Sequence, residues 1–284
     1  MSLFELLSNP DLDAPVLVIG LEGWIDAGYG AAAALTTISD HIEMATVATF
    51  DTDVLLDHRA RRPIVHLQEG MNTGLTWPVI ELRACTDRDG HDVLFLVGAE
   101  PDHTWRAFSH AVVDLALEFG VRLVTGFGAY PAPVPHTRPT SVVATATNRE
   151  LADLVGFVPG RIDVPAGVAA AIERRAADVG LPAVGLWAQV PHYASAMPYP
   201  AAAAALIEAL APVAGLDFGT GTLLDDATGA RARLDELVAN SPEHLDLVHQ
   251  LEQSVDRVDR GDLTEMSGDD IAAEFEKFLR DQGS

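Results

Sequence analysis

Apolar positions along the chain follow two rhythms. Short runs rich in β-branched residues lie at 16–19, 45–50, 64–67, 79–84, 93–97, 121–127, 141–147 and 184–190, as strands buried in a sheet require. Between them, stretches at 31–38, 104–119, 149–155, 165–179 and 200–211 have the character of helices. In one of these, Trp105, Phe108, Val112, Leu115 and Phe119 form a core-facing stripe, with Asp102 or Thr104 as the candidate cap and Gly120 as the stop. Pro200 suits the first turn of the last helix, and Pro212 is expected to end it. Asp87-Arg88-Asp89-Gly90 between two strand segments is hairpin chemistry, so the sheet is expected to be mixed. Alternating strands and helices predict an α/β fold.

The pattern changes after Gly215. Positions 217–284 carry 17 acids against 6 basic residues, with helical stripes over 230–239, 242–258 and 271–279. Leu245, Val248, Leu251, Val255 and Val258 form one apolar face behind the cap Ser241. Ile271, Phe275, Phe278 and Leu279 form another, behind Ser267-Gly268-Asp269-Asp270. We therefore expect a main domain over 1–215 and an acidic helical extension over 216–284, folded on the main domain or on a neighbouring subunit.

Composition narrows the chemistry. A net charge of -24 disfavours nucleic acid and anionic membrane as partners, both of which call for basic patches. The single cysteine, Cys85, leaves no internal disulfide and no multi-cysteine metal site. There is no apolar run of membrane-spanning length, and the opening residues lack a basic signal region, so a cytoplasmic protein is expected. Lys277 is the only lysine among 18 basic residues, so a P-loop or Schiff-base chemistry has no residue to use in the main domain. The loop from Gly20 to Gly30 misses the dinucleotide spacing, and Glu22 and Asp26 in it would repel a pyrophosphate. No His-Glu-x-x-His or calcium-loop spacing occurs. No cofactor and no metal are expected.

Polar residues gather just after strands. Glu22 and Asp26 follow the first, Glu100 and Asp102 the hairpin strand, His136 and Arg138 the strand from 121, and His192 the strand from 184. Asp57, Arg59 and Arg62 form a further charged group. Such a set suits acid–base work, a polar ligand or a subunit interface. It equally suits helix caps and structural ion pairs: carboxylates ahead of helices satisfy free amides, and Arg59, Arg61 and Arg62 have Asp51, Asp53 and Asp57 nearby in sequence.

Five segments carry a resemblance: Gly20-Leu-Glu-Gly-Trp-Ile-Asp-Ala-Gly28, Asp57-His-Arg-Ala-Arg-Arg-Pro63, Gly98-Ala-Glu-Pro-Asp102 with Trp105, Val134-Pro-His-Thr-Arg-Pro139 and Val190-Pro-His-Tyr193. With them the chain resembles the proteasome-assembly-chaperone-2 family, in its actinobacterial-type branch. The resemblance implies a three-layer α/β/α fold like that of purine nucleoside phosphorylases and related hydrolases, and a homo-oligomer, with a trimer favoured. Some archaeal and eukaryotic relatives dock on the proteasome through a C-terminal hydrophobic-Tyr-any tail. Leu279-Arg-Asp-Gln-Gly-Ser284 departs from that pattern, so docking by that route is not expected, and the acidic helical tail is expected at a partner or at the oligomer interface instead.

Three functions compete. The leading one is a non-enzymatic binding protein with an assembly role and a protein partner such as proteasome subunits. The alternative is a hydrolase or transferase acting on a small polar, nucleoside-like substrate through the strand-end cluster. In the third, the conspicuous motifs only hold the oligomer together.

Overall fold

The computed structural model describes residues 3–23 and 25–259, so Trp24, Lys277 and the stripe expected over 271–279 lie outside the described residues. The first half holds β1 (Phe4–Leu6), β2 (Val16–Glu22), α1 (Gly30–His41), β3 (Ala45–Phe50), α2 (Thr52–Leu55), β4 (Ile64–Gln68), β5 (Met71–Thr76), β6 (Ile80–Thr86) and β7 (Asp92–Ala99). Then come α3 (Trp105–Glu118), β8 (Leu123–Ala132), β9 (Val142–Ala146), α4 (Arg149–Val155), α5 (Val168–Asp178), β10 (Ala183–Pro191), α6 (Pro200–Ala214), α7 (Leu223–Ala239) and α8 (Pro242–Asp259).

The main sheet runs β1-β3-β6-β7-β2-β8-β10-β9, with β4 and β5 paired separately. Strand β2 is parallel to both β7 and β8, whereas β6 is antiparallel to β3 and β7, and β9 is antiparallel to β10. The sheet is therefore mixed, with helices packed around it, and the α/β class is as read from the alternation. The β6–β7 hairpin turns where expected. Asp87 holds it, its Oδ1 accepting the amides of Asp89 and His91.

The chain divides into two compact units. One contains β1–β7, the start of β8, α2, α3 and α5. Leu17, Ile19, Leu94 and Leu96 meet Phe108, Val112 and Ile172 in its core, and the Phe50 and Phe108 rings stand edge-on 5.0 Å apart. Val16 and Val18 alternate with Leu17 and Ile19 and are equally buried, so both faces of β2 are covered. The other unit contains α1, the rest of β8, β9, α4, β10 and α6–α8. Its α1 and α6 approach closely because both are rich in alanine, and a Cβ at Gly30 would meet Ala202 at 2.9 Å. Ala230, Leu234 and Val238 give α7 a buried face, whereas α8 buries Val248 and Leu251.

Four elements differ from the sequence reading. Strand β8 continues through Pro131 to Ala132 instead of yielding to a loop at Gly128. Helix α6 runs past Pro212, because Val213 and Ala214 are buried and Gly215 supplies the left-handed stop, its amide bonded to Ala211 O. Thr104 precedes α3 in a left-handed conformation without a side-chain capping bond. Residues 64–76 form a complete hairpin, turning at Glu69 and Gly70, both with positive φ as a two-residue turn demands.

Candidate functional site

The first strand delivers the chain into the glycine-rich turn. Glu22 is exposed at the end of β2. Asp26 accepts the amides of Ala31 and Ala32 at 2.8 and 2.9 Å, and so caps α1. Burial pushes its carboxyl above the usual range, while the amides of Ala32, Ala31 and Gly30 pull the other way. Gly28 has φ +63, donates to Ser195 O at 2.7 Å and accepts from Tyr199 N at 2.9 Å. The turn's glycine thus allows close backbone approach, and its acid serves a helix.

A charged set gathers in the first unit. Asp102 accepts the Asp57 amide at 2.8 Å and pairs with the Arg61 guanidinium. Desolvation opposes ionisation there, but the Asp57 amide and Arg61 hold the Asp102 carboxyl below its usual range. Asp57 Oδ1 in turn accepts the Arg59 amide at 2.9 Å. Arg59 and Arg62 themselves are exposed. The neighbouring acids take other tasks: Asp51 caps α2, and Asp53 pairs with His58 at 3.0 Å.

Glu100 is buried and accepts the Val168 amide at 2.6 Å, capping α5 from a distant element. Burial pushes its carboxyl up, against the opposing Val168 amide and the Arg61 charge. Folding then favours the protonated form. The group's stability contribution is fully present below the ordinary value of 4.5 and is lost as pH rises through the raised folded value. A Glu100→Gln chain keeps an acceptor for Val168 without the titration. Urea unfolding across that window should show a smaller loss of stability with rising pH than in the wild type, and an unchanged slope would contradict this role.

A second set belongs to the other unit. His136 is buried in the loop after β8, where four prolines in nine residues fix the path. Its backbone amide donates to Tyr193 Oη at 2.9 Å. The Tyr193 hydroxyl in turn lies 2.7 Å from His136 Nδ1, which makes it the donor and leaves Nε2–H to donate to Asp235 at 3.1 Å. Burial pushes the Tyr193 hydroxyl up to about 12, so it remains a donor. Arg138 grips Asp256 with Nε and Nη2 at 2.8 and 2.9 Å, and Glu252 with Nη1 at 3.0 Å. Its hydrogen bond to Asp256, followed by the charges of Asp256 and Glu252, keeps the guanidinium charged despite desolvation. Thr137 donates to Glu252 at 2.6 Å. His192 lies edge-on to Tyr193 at 5.3 Å, its Nδ1 buried without a hydrogen-bond partner.

The structure thus joins Asp57 to Asp102 in one set, and His136 to His192 through Tyr193 in another, where Arg138 holds α8. The decisive partners Asp235, Glu252 and Asp256 were not among the sequence candidates, Tyr193 entered only within a motif, and Arg61 was weighed only as an ion-pair partner of Asp51, Asp53 and Asp57. Two of these, Glu252 and Asp256, stand four residues apart on one helix, a spacing visible in sequence but without a stated target. A feature that sequence reasoning did not flag is the β4–β5 hairpin, where Val65, Leu67 and Leu75 share one exposed face.

Comparison with known proteins adds a family match and three structural likenesses. The model described as the PAC2 family matches residues 20–238. A Mycobacterium tuberculosis protein of unknown function is 36% identical, with a TM-score of 0.83, over 100% of this chain and 97% of that one. A Mycobacterium tuberculosis proteasome-assembly chaperone homologue is 29% identical, with a TM-score of 0.75, over 82% of this chain and 99% of that one. An archaeal proteasome activator from Pyrococcus furiosus shares the fold at 18% identity and a TM-score of 0.62, over 82% of this chain and 97% of that one. No curated protein matches.

Proposed function

This chain belongs to the PAC2 family, and from that premise we propose that it is a non-enzymatic assembly factor that binds protein partners, proteasome subunits among them, as a homo-oligomer. The observation that carries the reading is the likeness to the Mycobacterium tuberculosis proteasome-assembly chaperone homologue over 82% of this chain. Four of the candidate polar groups, Asp26, Glu100, Asp102 and His136, support it from another side. A general base needs an acceptor directed at substrate. Here Glu100 and Asp26 accept helix amides, Asp102 is engaged with Asp57 and Arg61, and both ring nitrogens of His136 are bonded. Among the described residues no helix is long and apolar enough to cross a membrane.

Oligomer formation is supported by the β4–β5 hairpin. A two-stranded ribbon is marginal alone, and this one exposes apolar side chains on both faces. We assign it to the interface between copies, with a trimer as the proposed stoichiometry. Affinity capture from native lysate with the tagged full chain tests the partner claim. Recovery of proteasome subunits in stoichiometric yield is expected, and their absence from the captured material would overturn it.

A further inference from the structure

In the loop His136-Thr137-Arg138, Thr137 and Arg138 grip α8 through its carboxylates, while His136 is held by Tyr193 and by Asp235 of α7. Glu252 and Asp256 are one helical turn apart, so both carboxylates leave the same face of α8. Arg138 receives them as a fork, with two parallel bonds to Asp256 and one to Glu252. The Thr137 hydroxyl adds a further bond to Glu252, and Arg231 of α7 donates to Thr137 O at 3.1 Å. The prolines around the loop hold these donors in place before any helix arrives.

The grip on α8 is specific but shallow. Val248 and Leu251 are its fully buried apolar residues among the described ones, and Leu245 is exposed. The fork itself is about one-third exposed at Arg138, so solvent screens part of its strength although its geometry is bidentate. An element held this way opens at low cost. The fork then selects by geometry: it rewards carboxylates at i and i+4, while apolar residues at the positions of Val248 and Leu251 add the buried contact.

We propose that the His136-Thr137-Arg138 loop is a docking site for an acidic helix of another protein, one that presents carboxylates at i and i+4, and that α8 occupies this site in cis. The partner's helix displaces α8 by repeating its two contacts. Such docking is separate from the assembly reading above, because a chain that binds no proteasome subunit would still bind this helix.

The test uses the full chain and a fluorescein-labelled synthetic peptide with the sequence of residues 242–259 as the probe. In a Glu252→Gln/Asp256→Asn chain the cis helix loses its carboxylates, and the peptide should bind at least tenfold tighter than to the wild type. Adding Arg138→Lys, which keeps the charge and removes the fork, should weaken that binding about tenfold. A peptide carrying Gln and Asn at the same two positions should not bind. Hydrogen exchange should rise at least tenfold across α8 in the double variant while α3 and α6 keep their protection, which shows that the chain is folded. Equal peptide affinity for wild type and double variant, indifference to Arg138→Lys, or unchanged exchange across α8 would each overturn the proposal.

Discussion

A Gly28→Val chain is expected to lose roughly 2–5 kcal/mol of stability, the sum of a left-handed backbone and an overpacked contact. Gly28 has φ +63, which costs a β-branched residue about 1–2 kcal/mol. A Cβ there would lie 2.6 Å from Tyr199 Cβ and 3.3 Å from Val190 Cγ1. Neither neighbour gives way easily, because Tyr199 and Val190 are buried and Gly28 is bonded on both sides, to Ser195 O and from Tyr199 N. Gly120→Ala provides the control. Its φ of +68 is similar, but nothing lies within 4 Å of the added Cβ. Urea unfolding of both variants separates the two costs. If Gly28→Val costs no more than Gly120→Ala, the close approach of this turn to Tyr199 is not a determinant of stability.

With the β4–β5 hairpin as the proposed interface between copies, a Leu67→Asp/Leu75→Asp chain is expected to be monomeric. Leu67 is 66% exposed and Leu75 is 47% exposed, on the same face of the hairpin as Val65. Burying a leucine against another copy contributes about 1.5–3 kcal/mol, so the pair represents roughly two to four decades in dissociation constant. Two carboxylates in the same apolar contact add a desolvation cost. Sedimentation or light scattering reads the loss directly, while circular dichroism should be unchanged, because neither side chain packs in the core. A variant that stays fully oligomeric would remove the hairpin from the interface.

Local chemistry was legible where the sequence itself closed an element. Asn148 and Gly156 bound α4, which spans Arg149–Val155 as predicted, and the β-branched run over Ala45–Phe50 gave β3 its full length. The Asp87 turn disclosed an antiparallel pair and with it the mixed sheet. The β4–β5 hairpin was hidden for two reasons. Its second strand, Met71–Thr76, lacks alternating apolar residues, and its turn places Glu69 at φ 50, where Asn or Asp is the usual signal. Pro131 argued against a strand that in fact continues around it.

The site was harder to read because its partners are distant in sequence. Asp26 lies five residues from the amide it caps, and capping was weighed as one reading of it. His136 finds Tyr193 57 residues later and Asp235 99 residues later, while Arg138 reaches Asp256 across 118. No periodicity carries such information. Among Arg59, Arg61 and Arg62, the turn after α2 decides which side chain meets Asp102, and composition treats the three alike. Polar residues at strand ends were therefore identifiable as important, but their work for helices α1, α5, α7 and α8 emerged only from tertiary structure.

In the function proposed above, this chain binds proteasome subunits as an oligomer and performs no chemistry on them. Native mass spectrometry of the purified full chain mixed with unassembled proteasome core subunits tests it most directly. A complex of defined stoichiometry containing an oligomer of this chain and unaltered subunits is expected. Free subunits beside an unliganded chain, or a covalent mass change in a subunit, would contradict it.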